Sequence, residues 1–253
     1  MRQRSRAERR GAPNLDGIVN RLEAINASLA RKGRRRSSYL EIGVQRGEVF
    51  RKVRARVRIG VDPRFLGPDM RIRSHLGPMR ERLGLRGGAF LFSCTSDEFF
   101  EARHRVLGRR PLDCVLVDGL HSADQAYRDV LNSLEHLADD GVIVMHDCSP
   151  ASAVAALPTL GEAARHPEFI GAWNGDVWKA LVRLRATHPD LQICVLDCDE
   201  GVGLIRRGGR GSEVTLSEAD LHALTYEDLD ADREGLLNLQ PPEHLTRFLS
   251  RAD

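Results

Sequence analysis

Apolar residues recur at helical spacing through residues 15–32, at Leu15, Ile18, Val19, Leu22, Ile25 and Leu29, and the pattern stops at Gly33. Beyond it the period changes. Five short, mostly apolar runs follow: Ser38 to Gly43, Val57 to Asp62, Ala89 to Ser93, Asp113 to Asp118, and Gly141 to Asp147. Helix-sized segments separate them. One of these, Ala123 to Leu137, places Ala126, Val130, Leu134 and Leu137 on one face. Val177 to Thr187 predicts another helix, and Leu191 to Leu196 with Gly203 to Arg206 predicts a closing hairpin. Strands that are apolar on both sides need cover on both sides, so the pattern predicts an α/β fold with a mostly parallel, Rossmann-like sheet between helices.

Residues 211–253 carry no strand signal and are expected to form one or two appended helices, interrupted by Pro241-Pro242. The expected organisation is therefore a basic helical arm at 1–37, the sheet domain at 38–210 and an acidic helical extension at 211–253. The net charge of +2 conceals that asymmetry. Residues 1–36 hold eleven Arg/Lys against three acids, and residues 213–253 hold ten acids against three Arg. The arm reads as a solvated, frayed segment facing the acidic tail. No aromatics interleave with its arginines, so the stacking platform of a single-strand binder is missing. No apolar run approaches the ~18 residues of a membrane span, and no apolar stretch follows the basic N-terminus as in a secretory signal. The five cysteines include no C-x-x-C pair. Cys194 and Cys198, read as one strand, would stand about 13 Å apart, beyond disulfide reach. All five are expected to be reduced thiols of a cytoplasmic protein.

In sheets of this kind ligands bind outside the carboxyl ends of the strands, near the reversal of strand order. The first run ends in Glu41-Ile-Gly43-Val-Gln-Arg-Gly47, where glycines let a ligand approach the backbone. The second ends in Asp62, twenty-one residues after Glu41, an acid placed to meet ribose hydroxyls. The G-x-G-x-x-G spacing of a pyrophosphate cradle is absent, so a nucleoside without phosphates suits this loop better than a nicotinamide dinucleotide. S-adenosylmethionine (SAM) is such a ligand. Ser96 and Asp97, after the third run, stand where an adenine amino group could be met. The fourth run ends in Asp118-Gly-Leu-His121 and the fifth in His146-Asp147, bringing four chemistry-bearing side chains toward one crevice.

At these residues the chain resembles class I SAM-dependent methyltransferases, from about Tyr39 to Arg207. The most specific stretches are Val117-Asp-Gly-Leu-His-Ser-Ala-Asp-Gln-Ala-Tyr-Arg-Asp-Val and Gly141-Val-Ile-Val-Met-His-Asp. They are similar to the natural-product branch, which includes metal-dependent O-methyltransferases of macrolide sugars. The resemblance implies a seven-stranded sheet with an antiparallel strand near Gly203 to Arg206. It implies that Glu41 and Gly43 approach SAM, that Asp62 holds the ribose, and that Asp118, His146 and Asp147 bind a divalent metal. That branch usually has an acid where this chain has His146. It also implies that His121 is the general base. The stretch Trp173-Asn-Gly-Asp176-Val-Trp178-Lys179 recurs in the branch, and its Trp173, Asp176 and Trp178 would line an acceptor pocket.

The expected cofactors are SAM and Mg²⁺ or Mn²⁺, with one imidazole tilting the choice toward Mn²⁺. The expected cofactor contacts are Glu41, Gly43, Gly47, Asp62, Ser96, Asp97 and Asp118. The expected reaction is O-methylation of a hydroxyl on a secondary metabolite or its sugar. An N- or C-methyltransferase without metal, an RNA-modifying enzyme using the Arg-rich arm, and a nicotinamide oxidoreductase are the alternatives. The expected partner is a small-molecule acceptor rather than a membrane or nucleic acid, and a homodimer is compatible with the sequence.

Overall fold

A computed structural model describes residues 19–33, 36–102, 105–108, 111–209 and 214–250. In chain order the elements are α1 (Arg21–Ala30), β1 (Ser38–Ile42), β2 (Val57–Val61), α2 (Pro68–Arg82), β3 (Gly88–Phe92), α3 (Ser96–Glu101), α4 (Arg105–Gly108), β4 (Leu112–Val117), α5 (Ala123–His136) and β5 (Leu137–Met145). There follow α6 (Leu160–Arg165), α7 (Val177–Thr187), β6 (Leu191–Leu196), β7 (Val202–Arg207), α8 (Glu218–Ala223), α9 (Tyr226–Ala231), α10 (Arg233–Leu237), β8 (Leu239–Gln240) and α11 (His244–Leu249).

The strands form one sheet in the order β3-β2-β1-β4-β5-β7-β6-β8. β1 to β5 run parallel, and β7 is antiparallel to both β5 and β6. The antiparallel strand at Gly203 to Arg206 is thus as expected. Seven strands become eight because β8 pairs with β6 through Val195↔Leu239 and Leu196↔Gln240. After β3 the chain crosses back to the other side of β1, so the order reverses between β1 and β4. A cleft opens at that point.

Alternation along each strand builds two cores. Leu40, Ile42, Val115 and Val117 face one layer with α5 and α7, which buries Val130, Trp178 and Leu181. Tyr39, Cys114, Leu116 and Val144 face the other, where Ile25 and Leu29 of α1 and Phe248 of α11 cover them. The arm is therefore part of the fold from α1 onward: Asn20 caps the helix by accepting from the Leu22 and Glu23 amides, and its apolar stripe docks on the sheet. Residues 1–18, including Leu15 and Ile18 of the apolar pattern, lie outside the described residues.

The C-terminal segment departs most from expectation. Among its described residues it forms four short helices and a strand instead of one or two helices. Ser217 with Asp220, and Thr225 with Asp228, make capping boxes that start α8 and α9. Asn238, in the left-handed region at φ 49°, ends α10 and turns the chain into β8. Leu229, Leu237 and Leu245 are fully buried, so this segment completes both cores. Cys198 lies beyond the end of β6 rather than in it, and all five cysteines are free thiols. Among the described residues no helix is long and apolar enough to cross a membrane.

Candidate active site

The cleft at the strand-order reversal has a volume of about 290 Å³ and is lined by Arg21, Glu41, Gly43, Asp118, His121, His146 and Asp147 among others. β1 delivers Glu41 and Gly43. Glu41 points to the same face as Tyr39, whose hydroxyl donates to Glu41 Oε2 at 2.7 Å. Burial raises the Glu41 carboxyl to about 8, with the nearby Asp118 charge adding to the rise against the lowering effect of the Tyr39 hydrogen bond. A group held protonated by the fold stabilises it fully below its ordinary value of 4.5, and that contribution is lost as the pH climbs through about 8. Glu41→Gln cannot ionise, so its stability relative to wild type is expected to rise steadily between those pH values in thermal unfolding. A difference that does not grow with pH would show the carboxyl to be ionised in the fold already.

Asp62 is buried behind the loop: Oδ2 accepts from the Gln45 amide and Oδ1 from the Arg64 amide, both at 2.7 Å. It holds the loop in shape, with Gln45 left-handed at φ 45°. Gly47 does not line the cleft; it is buried against Met70 of α2. Ser96 and Asp97 also stand apart from the lining, because both accept from Gln125 Nε2 at 3.1 Å and so tie α3 to α5.

β4 and β5 deliver the acids. Asp118 Oδ1 lies 3.8 Å from His121 Nε2 and 3.7 Å from His146 Nδ1. Asp147 Oδ2 lies 3.3 Å from His121 Nε2 and 3.0 Å from His146 Nδ1. Burial raises the Asp118 carboxyl, and the Asp147 charge adds to this. Burial would raise Asp147 too, but the His146 ring beside it outweighs that and holds it below the ordinary carboxylate range.

The two histidines sit differently beside the acids. Ligand atoms of Asp118, His121 and Asp147 all lie within 4.8 Å of one another. His146, expected in the metal set, is 5% exposed, and its ring nitrogens contact acids off the line of a hydrogen bond. Burial would lower its pKa, but Asp147 and Asp199 win and push it up to about 10.

His121 stands on the loop between β4 and α5, stacked on Trp173 with ring centroids 4.8 Å apart. It does not cap α5, because the Ala123 amide donates to Asp176 Oδ1 at 2.7 Å. Asp176 thus joins α5 to α7 and borders a separate cavity of about 190 Å³ with Lys179 and Arg183. Trp178 is 1% exposed in the core between α7 and the sheet and forms no wall of an open pocket. Its place on the buried face of an amphipathic helix explains this.

The sequence reading missed Arg21, Asn174, Asp199 and Glu200. Arg21 Nη1 donates to Asp118 Oδ2 at 2.8 Å, and Asn174 Nδ2 donates to Asp147 Oδ1 at 2.6 Å. Only Asn174, inside the quoted Trp173 to Lys179 stretch, stood near a signal.

Residues 40–148 match the family model described as a methyltransferase domain. No curated protein matches the chain. Among solved structures, cofactor-bound Rv0187 from MTB has a TM-score of 0.50 at 14% identity, covering 79% of this chain and 85% of that one. The O-methyltransferase TomG from Streptomyces achromogenes, involved in tomaymycin synthesis and solved with SAM, has a TM-score of 0.46 at 16% identity, covering 77% and 83%. At its identity the likeness to Rv0187 speaks for the fold alone. The matched residues 40–148, which hold Glu41, Gly43, Asp118, His121 and Asp147, are similar to a methyltransferase domain.

Proposed function

We propose that the protein methylates a hydroxyl of a small-molecule acceptor, using SAM and a divalent cation. The observation that carries this reading is the pair of carboxylates at the cleft, Asp118 and Asp147, each with one oxygen facing His121. An amine needs no such assembly, whereas a hydroxyl is a poor nucleophile until its proton is drawn off. When bound, SAM supplies a methyl on cationic sulfur, and the divalent ion supplies positive charge that lowers a hydroxyl pKa.

The residues fit both groups. Mg²⁺ and Mn²⁺ are held by hard oxygens, and Mg²⁺ commonly by only one or two carboxylates plus waters and substrate. Asp118 Oδ1 and Asp147 Oδ2 provide such a pair, which leaves His121 to take the proton. Glu41 and Gly43 line the SAM side, and Asp62 supports the ribose end through the loop it braces. Trp173 fixes the plane of the His121 ring. Trp173 and the 65% exposed Leu120 are apolar neighbours of His121, suited to the body of a ring-bearing acceptor.

Incubation with methyl-labelled SAM and a panel of phenols and glycosides is expected to yield labelled ethers. EDTA should abolish turnover, and Mn²⁺ or Mg²⁺ should restore it. Label appearing on amines instead would refute the hydroxyl, and turnover indifferent to EDTA would refute the metal.

A further inference from the structure

One oxygen of each carboxylate meets the histidines; the other is gripped from outside. Arg21 holds Asp118 Oδ2, and Asn174 holds Asp147 Oδ1. Both gripping side chains are themselves held. Asp199 Oδ2 accepts from Arg21 Nε at 3.1 Å and from the Arg21 backbone N–H at 3.0 Å. Glu200 Oε2 accepts from Asn174 Nδ2 at 2.5 Å. Asp199 and Glu200 are adjacent residues of the turn between β6 and β7. Two chains of contacts therefore start from one turn, Asp199–Arg21–Asp118 and Glu200–Asn174–Asp147, and end on the two acids of the site.

The turn is built for a fixed shape. Asp199, Glu200 and Gly201 are all left-handed, at φ 47°, 60° and 88°. That region is uncommon for residues other than glycine, and it persists where surrounding contacts over-determine it. Those contacts are present: the Ser149 amide donates to the Glu200 carbonyl at 3.0 Å and the Cys148 amide to the Gly201 carbonyl at 3.1 Å. A Cβ on Gly201 would sit 2.4 Å from the Ser149 nitrogen, so the turn lies flush on the segment that follows Asp147. Cys148 and Ser149 are the next residues after Asp147, which couples the turn to the acid by backbone as well as by side chain.

We propose that this turn is the positioning frame of the site, and that Arg21 and Asn174 are positioning residues. Each fixes the rotation of one carboxylate so that Asp118 Oδ1 and Asp147 Oδ2 converge on the His121 side. A carboxylate free to rotate about its last torsion would present either oxygen, and outer donors are what remove that freedom. Arg21 suits the task because its planar fork grips Asp118 and Asp199 at once, which a lysine cannot do. The basic segment ahead of the sheet domain thus contributes to the site through α1. The inference rests on the proposed pairing of the two acids around a cation, and the experiment separates the two.

The test uses Arg21→Ala, Arg21→Lys and Glu200→Ala in the full chain, one arm of the frame at a time. None of the three removes a proposed ligand or base. Thermal unfolding checks that each folds; Glu200 is exposed, so its variant remains available if Arg21→Ala does not fold. In Mn²⁺ titrations followed by electron paramagnetic resonance, the alanine variants are expected to bind roughly tenfold to a hundredfold more weakly than wild type, with Arg21→Lys between. SAM affinity should stay within about twofold. Wild-type affinity retained in the alanine variants overturns the frame. If wild type itself binds no Mn²⁺, the metal reading fails and histidine-labelled ¹⁵N spectra decide the frame without metal. The ring nitrogens of His121 and His146 should then shift in Arg21→Ala and in Glu200→Ala, and unmoved signals in both overturn it.

Discussion

His121→Ala is expected to lower kcat by roughly 10²–10⁴ while SAM and Mn²⁺ affinities stay within a few-fold of wild type. The size follows from what is lost. The ring lines the cleft within 4 Å of both acids and is 18% exposed, against 5% for His146, the other imidazole of the lining. On the proposed reading the acceptor proton would then have to leave to water, because the two carboxylates would be engaged with the cation. The stacked Trp173 ring keeps the imidazole in one plane, so the proton-accepting direction is set before the acceptor arrives. Two results would change the assignment. A collapse of Mn²⁺ affinity with kcat preserved at saturating Mn²⁺ would make His121 a ligand, as its 4.8 Å grouping with Asp118 and Asp147 also allows. A collapse of SAM affinity alone would make it a cofactor contact.

The sheet was legible in the sequence because both its faces are covered. Strands apolar on both sides stand out against the polar segments between them, and β1, β2, β6 and α7 match the pattern within a residue at each end. Strand ends named the acids for the same reason, because an Asp or Glu closing an apolar run has to lie at the rim. Two kinds of feature were not legible. Short helices after residue 216 start at capping boxes and end at single residues such as Asn238, signals local enough to be lost in a search for longer apolar periods. The second is the layer that holds the acids. Arg21 lies 97 residues from Asp118 and 178 from Asp199, so their contacts come from the packing of α1 on the sheet. An arginine among ten other basic residues ahead of the sheet has nothing in its neighbours to mark it. The histidines show a related limit. Alternation can place His146 and Asp147 at the end of β5 but would send them to opposite faces; that both line the cleft depends on backbone at the strand end, where Asp147 is left-handed at φ 61°.

Gly43→Ala is expected to cost at least about 3 kcal/mol of stability, or to prevent folding, and to abolish measurable SAM binding in whatever protein folds. Gly43 is left-handed at φ 89°, which a Cβ disfavours before any contact is considered. The contact is worse than the conformation. A Cβ built there falls 1.8 Å from the Asp118 carbonyl oxygen and 2.7 Å from the Gly119 Cα, both backbone atoms with no rotamer to yield. Relief would require β1 and β4 to part at the point where the strand order reverses. Across that junction the Asp118 amide donates to the Ile42 carbonyl at 3.0 Å, and on the other side the Gly43 amide ties the same turn to β2 by donating to the Val61 carbonyl at 2.9 Å. Moving it displaces Glu41 and Asp118 together, one on each side of the cleft. Gly208→Ala is the matching control: it is left-handed too, at φ 80°, but a Cβ there meets nothing within 4 Å. That variant isolates the backbone penalty of about 1 kcal/mol and should leave SAM binding intact. Equal losses of stability in the two variants, with SAM affinity kept in both, would show that the β1–β4 junction can open without harm to the cleft.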